Sequence, residues 1–179
     1  MDFKQSRTYA NLLAAYAGEA QARVKYNIYA EKARKEGYQQ VGDIFDETSH
    51  NERAHAEKWL EYIYEGAIPS TLPNLQDGAR GEHYEWSEMY KQFAQEARDE
   101  GYPKIAASFE LVAKVEKDHE NRYNALVGNM QNQQVFKKVT AQKWICRNCG
   151  HIHEGAEAPG VCPLCSYPQA FFEVKTDNY

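Results

Sequence analysis

FDETSHNERAHAEKW (residues 45–59) and FELVAKVEKDHENRY (residues 109–123) are echoes of one another. Each carries a glutamate followed three positions later by a histidine, Glu52/His55 in the first and Glu116/His119 in the second. Residues three apart share a helix face. The apolar stripes Val41, Phe45, Thr48, Glu52, His55, Trp59, Tyr62 and Ile105, Phe109, Val112, Glu116, His119, Tyr123, Leu126 make that face the inward one. A carboxylate moved from water into an apolar interior costs several kcal/mol unless it is neutralised, paired or bound to a metal. The stripes hold few basic residues, so a divalent cation is the expected partner.

Working outward, the echo covers two halves of the chain at an offset of 64 residues. ARKEGYQQVGDIF from Ala33 matches ARDEGYPKIAASF from Ala97 at Ala, Arg, Glu, Gly, Tyr and Phe, and Tyr26 matches Tyr90. Each half reads as a helix pair. The first helix runs from about Ser6 to Lys35, with Leu12, Ala15, Glu19, Ala22, Tyr26, Tyr29 and Ala33 on one face. Gly37 is placed to cap it. The second stops near Gly66, the third runs from Gly81 or Glu82 to Gly101, and the fourth opens with Pro103 and ends near Gly128. The expected architecture is an all-α four-helix bundle in residues 1–133, with a crossover at about 66–80 joining the two pairs. A second, small domain occupies residues 134–179, behind a polar linker GNMQNQQ.

Two Glu-x-x-His helices plus a glutamate from each remaining helix is the recurrent di-iron pattern of ferritin-like bundles. Mixed carboxylate and imidazole donors suit iron or manganese. Glu19 supplies one of the remaining glutamates. Moving it forward by 64 lands on His83, between Glu82 and Glu85, while Tyr90 still matches Tyr26. A one-residue π-type insertion between Glu85 and Tyr90 restores the register. Glu82 then takes Glu19's direction, with Glu85 beside it. His83 is the alternative ligand. Tyr26 and Tyr90, about two turns away, are candidates to hydrogen-bond the ligands.

All four cysteines fall in the last 34 residues, as Cys146, Cys149, Cys162 and Cys165. Paired C-x-x-C knuckles form a tetrahedral sulfur site for zinc or a single iron, and spacing does not choose between them. A module of about 45 residues buries little, so the metal is expected to contribute to its folding.

GEAQAR around Glu19, ERAH at Glu52, GEHYEW at Glu82 and Glu85, EKDH at Glu116 and the two knuckles together resemble the rubrerythrin family, over nearly the whole chain. The resemblance implies a ferritin-like bundle followed by a rubredoxin-like domain containing short β-strands. It implies a non-haem di-iron centre on Glu19, Glu52, Glu82, Glu85, Glu116 and His119, with Glu52 and Glu82 bridging. On reduction Glu85 gives way to His55. It makes the sulfur-bound metal iron, Fe(SCys)4, with zinc in some preparations. The implied activity is a peroxidase, reducing hydrogen peroxide to water in oxidative-stress defence, with electrons relayed through the sulfur-bound iron. The implied partners are a reduced donor, of rubredoxin or NAD(P)H-dependent reductase type, and a second copy in a homodimer. A ferroxidase or iron-handling protein on the same bundle is the rival reading.

Composition narrows the rest. The chain has 179 residues, net charge -5 and 42% hydrophobic residues, enough for a core. There is no basic patch interleaved with aromatics, so nucleic acid is not the expected partner. No apolar run reaches the roughly 18 residues that span a bilayer. The polar N-terminus lacks an apolar signal core, and a cytoplasmic location is expected.

Overall fold

The computed structural model describes residues 2–178. Contacts divide the chain into two units, the first ending at Pro69 and the second beginning at Ser70.

The first unit is a helical hairpin of α1 (Arg7–Lys35) and α2 (Gln39–Ile63). Ser6 caps α1, its Oγ accepting from the Tyr9 N–H at 3.1 Å. The hairpin turns at Gly37, whose φ of +91° suits glycine. There the Tyr38 N–H donates to the Ala33 carbonyl at 2.9 Å and the Gly37 N–H to that of Arg34 at 3.0 Å, closing a Schellman motif. Small residues let the helices approach: the buried positions are Ala30, Ala33, Gly42, Ser49 and Ala56. The Ser49 hydroxyl is satisfied by the Arg23 carbonyl at 3.1 Å.

The second unit begins with one continuous helical run, α3 (Thr71–Tyr84), a π-helical segment (Glu85–Met89) and α4 (Tyr90–Asp99). It packs against α5 (Pro103–Gln131). Gly101 repeats the turn of Gly37: the Tyr102 N–H reaches the Ala97 carbonyl at 2.7 Å. The buried helical positions are again small, Ala79, Ala94, Ala97 and Ala106.

Two expectations need correction. Residues 71–80, expected within the crossover, are helical, so the connection from α2 to α3 is only residues 64–70. Pro73 causes no break because it lies in the first turn, where its missing N–H has no partner to lose. At the other end α5 continues through Gly128 to Gln131, taking in the start of the expected linker.

The rest of the second unit is a three-stranded antiparallel sheet of order β2-β1-β3, from β1 (Lys137–Cys146), β2 (Ile152–Glu157) and β3 (Phe172–Val174). Trp144 pairs with His153 on one side and Val174 on the other. Its buried indole N–H donates to the Gly155 carbonyl at 2.9 Å. Trp144, Cys146, Ala158, Cys162 and Phe172 form the core, so two metal-ligand candidates are themselves core residues. No described helix is long and apolar enough to cross a membrane.

Candidate metal centres

Each helical hairpin brings three candidate ligands together. In the first, His55 Nδ1 lies 2.9 Å from Glu52 Oε2 and 3.9 Å from Glu19 Oε1. In the second, His119 Nδ1 lies 2.7 Å from Glu116 Oε2 and 3.7 Å from Glu82 Oε2. The same triangle is built twice, with the imidazole turned between two carboxylates. Within each triad the donor atoms all lie within 4.8 Å of one another, close enough to share one cation.

Glu82 stands in Glu19's place because of the π segment. From Glu52 to Glu116 and from His55 to His119 the offset is 64, but from Glu19 to Glu82 it is one fewer. The π segment at Glu85–Met89 supplies the missing residue, as expected from the sequence. Glu85, its first residue, lies beside the second triad. Burial raises its carboxyl above the usual range, and the charges of Glu82 and Glu116 push the same way against His119. The first hairpin has no counterpart to Glu85.

The glutamates are half-buried rather than enclosed. Side-chain exposure is 16% at Glu52 and 14% at Glu116, but reaches 57% at His55 and 36% at His119. Tyr26 and Tyr90 take equivalent aromatic positions, against Phe45 at 6.0 Å and Phe109 at 5.9 Å, both with rings inclined by 34°. The Tyr90 hydroxyl is raised by burial and then by Glu85, Glu116 and Glu82, so it is protonated at neutral pH within the field of the second triad.

His83, the alternative ligand, turns to Glu120 instead, with Nδ1 at 3.1 Å from Oε1. The other oxygen of Glu120 accepts from the Trp86 Nε1–H at 2.5 Å. Trp86 lies inside the π segment and Glu120 on α5, so this bond ties the insertion to the neighbouring helix. The Trp86 bond is the main reason the Glu120 carboxyl sits below its usual range. Sequence reasoning missed Glu120 because the equivalent residue of the first half is Ala56.

In the C-terminal module Cys146 and Cys165 Sγ are 3.7 Å apart, and Cys149 and Cys162 Sγ 3.6 Å. A tetrahedron with metal–sulfur bonds of about 2.3 Å has edges of about 3.8 Å, so the four sulfurs fit one metal ion. The knuckles are built alike. The Gly150 N–H donates to the Cys146 carbonyl at 2.8 Å, and the Ser166 N–H to that of Cys162 at 2.9 Å. Thiols this close share protons. Cys165 is drawn down to about 6, first by its bond with Asn148. Cys149, despite a backbone bond from His151 that favours its thiolate, is pushed up to about 12 by burial and the other three sulfurs.

The Rubrerythrin family profile matches residues 10–127, and the profile of the rubrerythrin rubredoxin-like domain matches residues 144–173. Rubrerythrin-1 of Clostridium acetobutylicum is 45% identical, over 98% of this chain and 98% of its own. The rubrerythrin of Porphyromonas gingivalis is 41% identical, over 98% of this chain and 94% of its own. A solved structure of nigerythrin in a mixed-valence state is 33% identical over 97% of this chain and 90% of its own, with a TM-score of 0.36. Carboxylate–imidazole triads on paired helices and a four-sulfur knuckle thus belong to one pattern: the chain is a member of the rubrerythrin family, an iron-dependent oxidoreductase with a ferritin-like helical part, a di-iron centre and a rubredoxin-like Fe(SCys)4 domain.

Proposed function

We propose that the chain reduces hydrogen peroxide to water in oxidative-stress defence. The di-iron centre would be held by Glu19, Glu52, His55, Glu82, Glu85, Glu116 and His119, one triad from each kind of hairpin plus Glu85. The observation that carries this reading is the matched pair of triads, whose corresponding distances differ by only 0.2 Å. Such symmetry suits two like metal ions side by side. Bound iron supplies the two electrons that, with two protons, turn one peroxide into two waters.

The residues divide the remaining work. Glu52 and Glu116, the least exposed members of their triads, set carboxylate oxygens where two cations would sit. Glu85 is the carboxylate whose charge is most opposed by its surroundings, which fits a ligand that yields to His55 on reduction. Cys146, Cys149, Cys162 and Cys165 hold a one-electron carrier in a packed core, so the peroxide site can be refilled from a reduced donor protein. We place the working protein in the cytoplasm as a homodimer, with residues 1–133 as the peroxide-reducing domain and 134–179 as the relay.

The test is anaerobic. The protein is fully reduced, peroxide is added in sub-stoichiometric steps, and the visible spectrum is followed by stopped flow. The red colour of oxidised Fe(SCys)4 returns rapidly with each aliquot and more slowly with dioxygen. Equal or faster oxidation by dioxygen would favour the ferroxidase reading. A sulfur site that never colours holds zinc.

A further inference from the structure

We propose that the groove around Trp86, between the π segment with α4 and the facing stretch of α5, binds an aromatic phosphate ester of the flavin mononucleotide (FMN) class. The ring system lies against Trp86 and the phosphate is held by Lys91, Lys114 and Lys117. The inference goes beyond the peroxide-reducing reading and does not depend on it. Every residue it uses belongs to the second unit.

Three observations carry it. The first is a concave surface of two chemistries. The groove has a volume of about 590 Å³, inside the range of small-molecule sites, roughly 300–1,000 Å³. Trp86, Ala94 and Ala113 give it an apolar wall, and Lys91, Lys114 and Lys117 give it charge. The two alanines carry nothing beyond a methyl group, so a flat ring system has room beside the indole.

The second is uncompensated charge. Among the described residues of the second unit, no carboxylate forms an ion pair with Lys91, Lys114 or Lys117. Glu110, which also lines the groove, is committed to Arg98, and Glu120 to Trp86 and His83. Lys91 and Lys117 rest on the Trp86 ring instead, with Nζ at 5.3 and 5.0 Å from its centre. Two ammonium groups gathered on one ring repel each other, and each is held there only by the weak attraction of a cation for an aromatic face. A phosphate relieves that repulsion, and lysine is suited to it as a point charge on a flexible stem. In a chain of net charge -5, three such cations on one groove are a local reversal of sign.

The third is what the internal repeat leaves out. The frame of the groove is written in both halves: Ala94, Arg98 and Glu110 stand where Ala30, Arg34 and Asp46 stand in the first. Its chemistry is not. Lys91 and Lys114 correspond to Asn27 and His50, and Glu120 to Ala56, while Trp86 lies in a π segment that α1 lacks. Lys117 alone keeps a charge, that of Arg53. The first hairpin folds without these residues, so helix pairing does not call for them. Glu120 accepts from the Trp86 indole N–H at 2.5 Å and fixes the ring in one orientation. A stacking surface gains affinity from being set before the ligand arrives. The lysines thus select a phosphate and the fixed indole selects a flat aromatic ring, and FMN carries both.

The experiment is equilibrium dialysis of the full-length, iron-loaded protein against FMN, riboflavin and radiolabelled inorganic phosphate at low ionic strength. One FMN per chain is expected, with riboflavin, which has the ring and no phosphate, bound about tenfold or more weaker. Lys91→Gln and Lys114→Gln together should raise the Kd for FMN by about tenfold or more, since charge-assisted contacts are lost, and leave riboflavin unchanged. Trp86→Leu should weaken FMN and riboflavin alike. The red Fe(SCys)4 colour and helical circular dichroism report that each variant is folded, and the lysine pair decides the matter without touching the segment beside Glu85. Failure to retain FMN would overturn the proposal. So would equal affinity for FMN and riboflavin, an FMN affinity unchanged by the lysine pair, or FMN held no more tightly than inorganic phosphate. The peroxide reading fails separately: FMN retained by a chain that does not reduce peroxide leaves the groove standing, and peroxide reduction by a chain that binds no FMN does the reverse.

Discussion

Asp46 and Glu110 occupy the same place in the two halves, each paired with an arginine that also repeats, Arg34 and Arg98. The Arg34 hydrogen bond holds the Asp46 carboxyl below its usual range against partial burial, with help from Asn27. A carboxylate depressed by folding stabilises the native state above its unfolded value, about 3.9 for aspartate. That contribution is lost as pH falls through the lower folded value. Asp46→Asn should therefore lower the urea midpoint at neutral pH, and the gap to wild type should narrow once the pH passes below about 4. A gap that stays constant across pH would show that charge is not what Asp46 contributes. The Gly101 position is sensitive for a different reason. Its φ of +84° disfavours any residue with a Cβ. Gly101→Ala should cost about 1–2 kcal/mol, read from urea unfolding.

One element decides the register of the second triad. Between Tyr84 and Tyr90 the π segment adds a residue without ending the helix, and Trp86 within it is bonded to Glu120 on α5. Deleting Ser87 should convert this stretch to ordinary α-helix and turn Glu82 away from Glu116 and His119 by about 100°, one residue of helical rotation. Helicity should survive while the bundle iron is lost, with the sulfur-bound iron kept as the internal reference. Iron analysis and circular dichroism on one sample check this, and full bundle iron in the deletion would remove the π segment's role. This insertion was legible in the sequence, because two repeats that agree at Tyr26 and Tyr90 but disagree at Glu19 leave one residue to place. The helix over residues 71–80 was not. TLPNLQDGAR carries Pro73, Asp77 and Gly78, which read locally as a connection. The tolerance of Pro73 is positional and that of Gly78 is tertiary. Pro73 sits in the first turn, and at Gly78 an added Cβ would come within 3.1–3.2 Å of the Tyr123 ring. Local propensity could not register a glycine kept for packing.

At the scale of the whole molecule, the chain builds its two kinds of metal site by different means, and they should fail differently. The triads were legible because they are written twice, in residues that share a helix face. The four sulfurs were legible because paired C-x-x-C knuckles bring them together over short stretches of chain. What the spacing could not register is that Cys146 and Cys162 are also core residues, packed with Trp144, Ala158 and Phe172. In the C-terminal module metal binding and packing are therefore one structure, and metal affinity is folding free energy. Cys162→Ser should lose the red colour of oxidised Fe(SCys)4 and open residues 134–179 to proteolysis, while helical circular dichroism and bundle iron persist. If the module stays protease-resistant without its metal, its core folds unaided and the sulfur site is only a passenger on it.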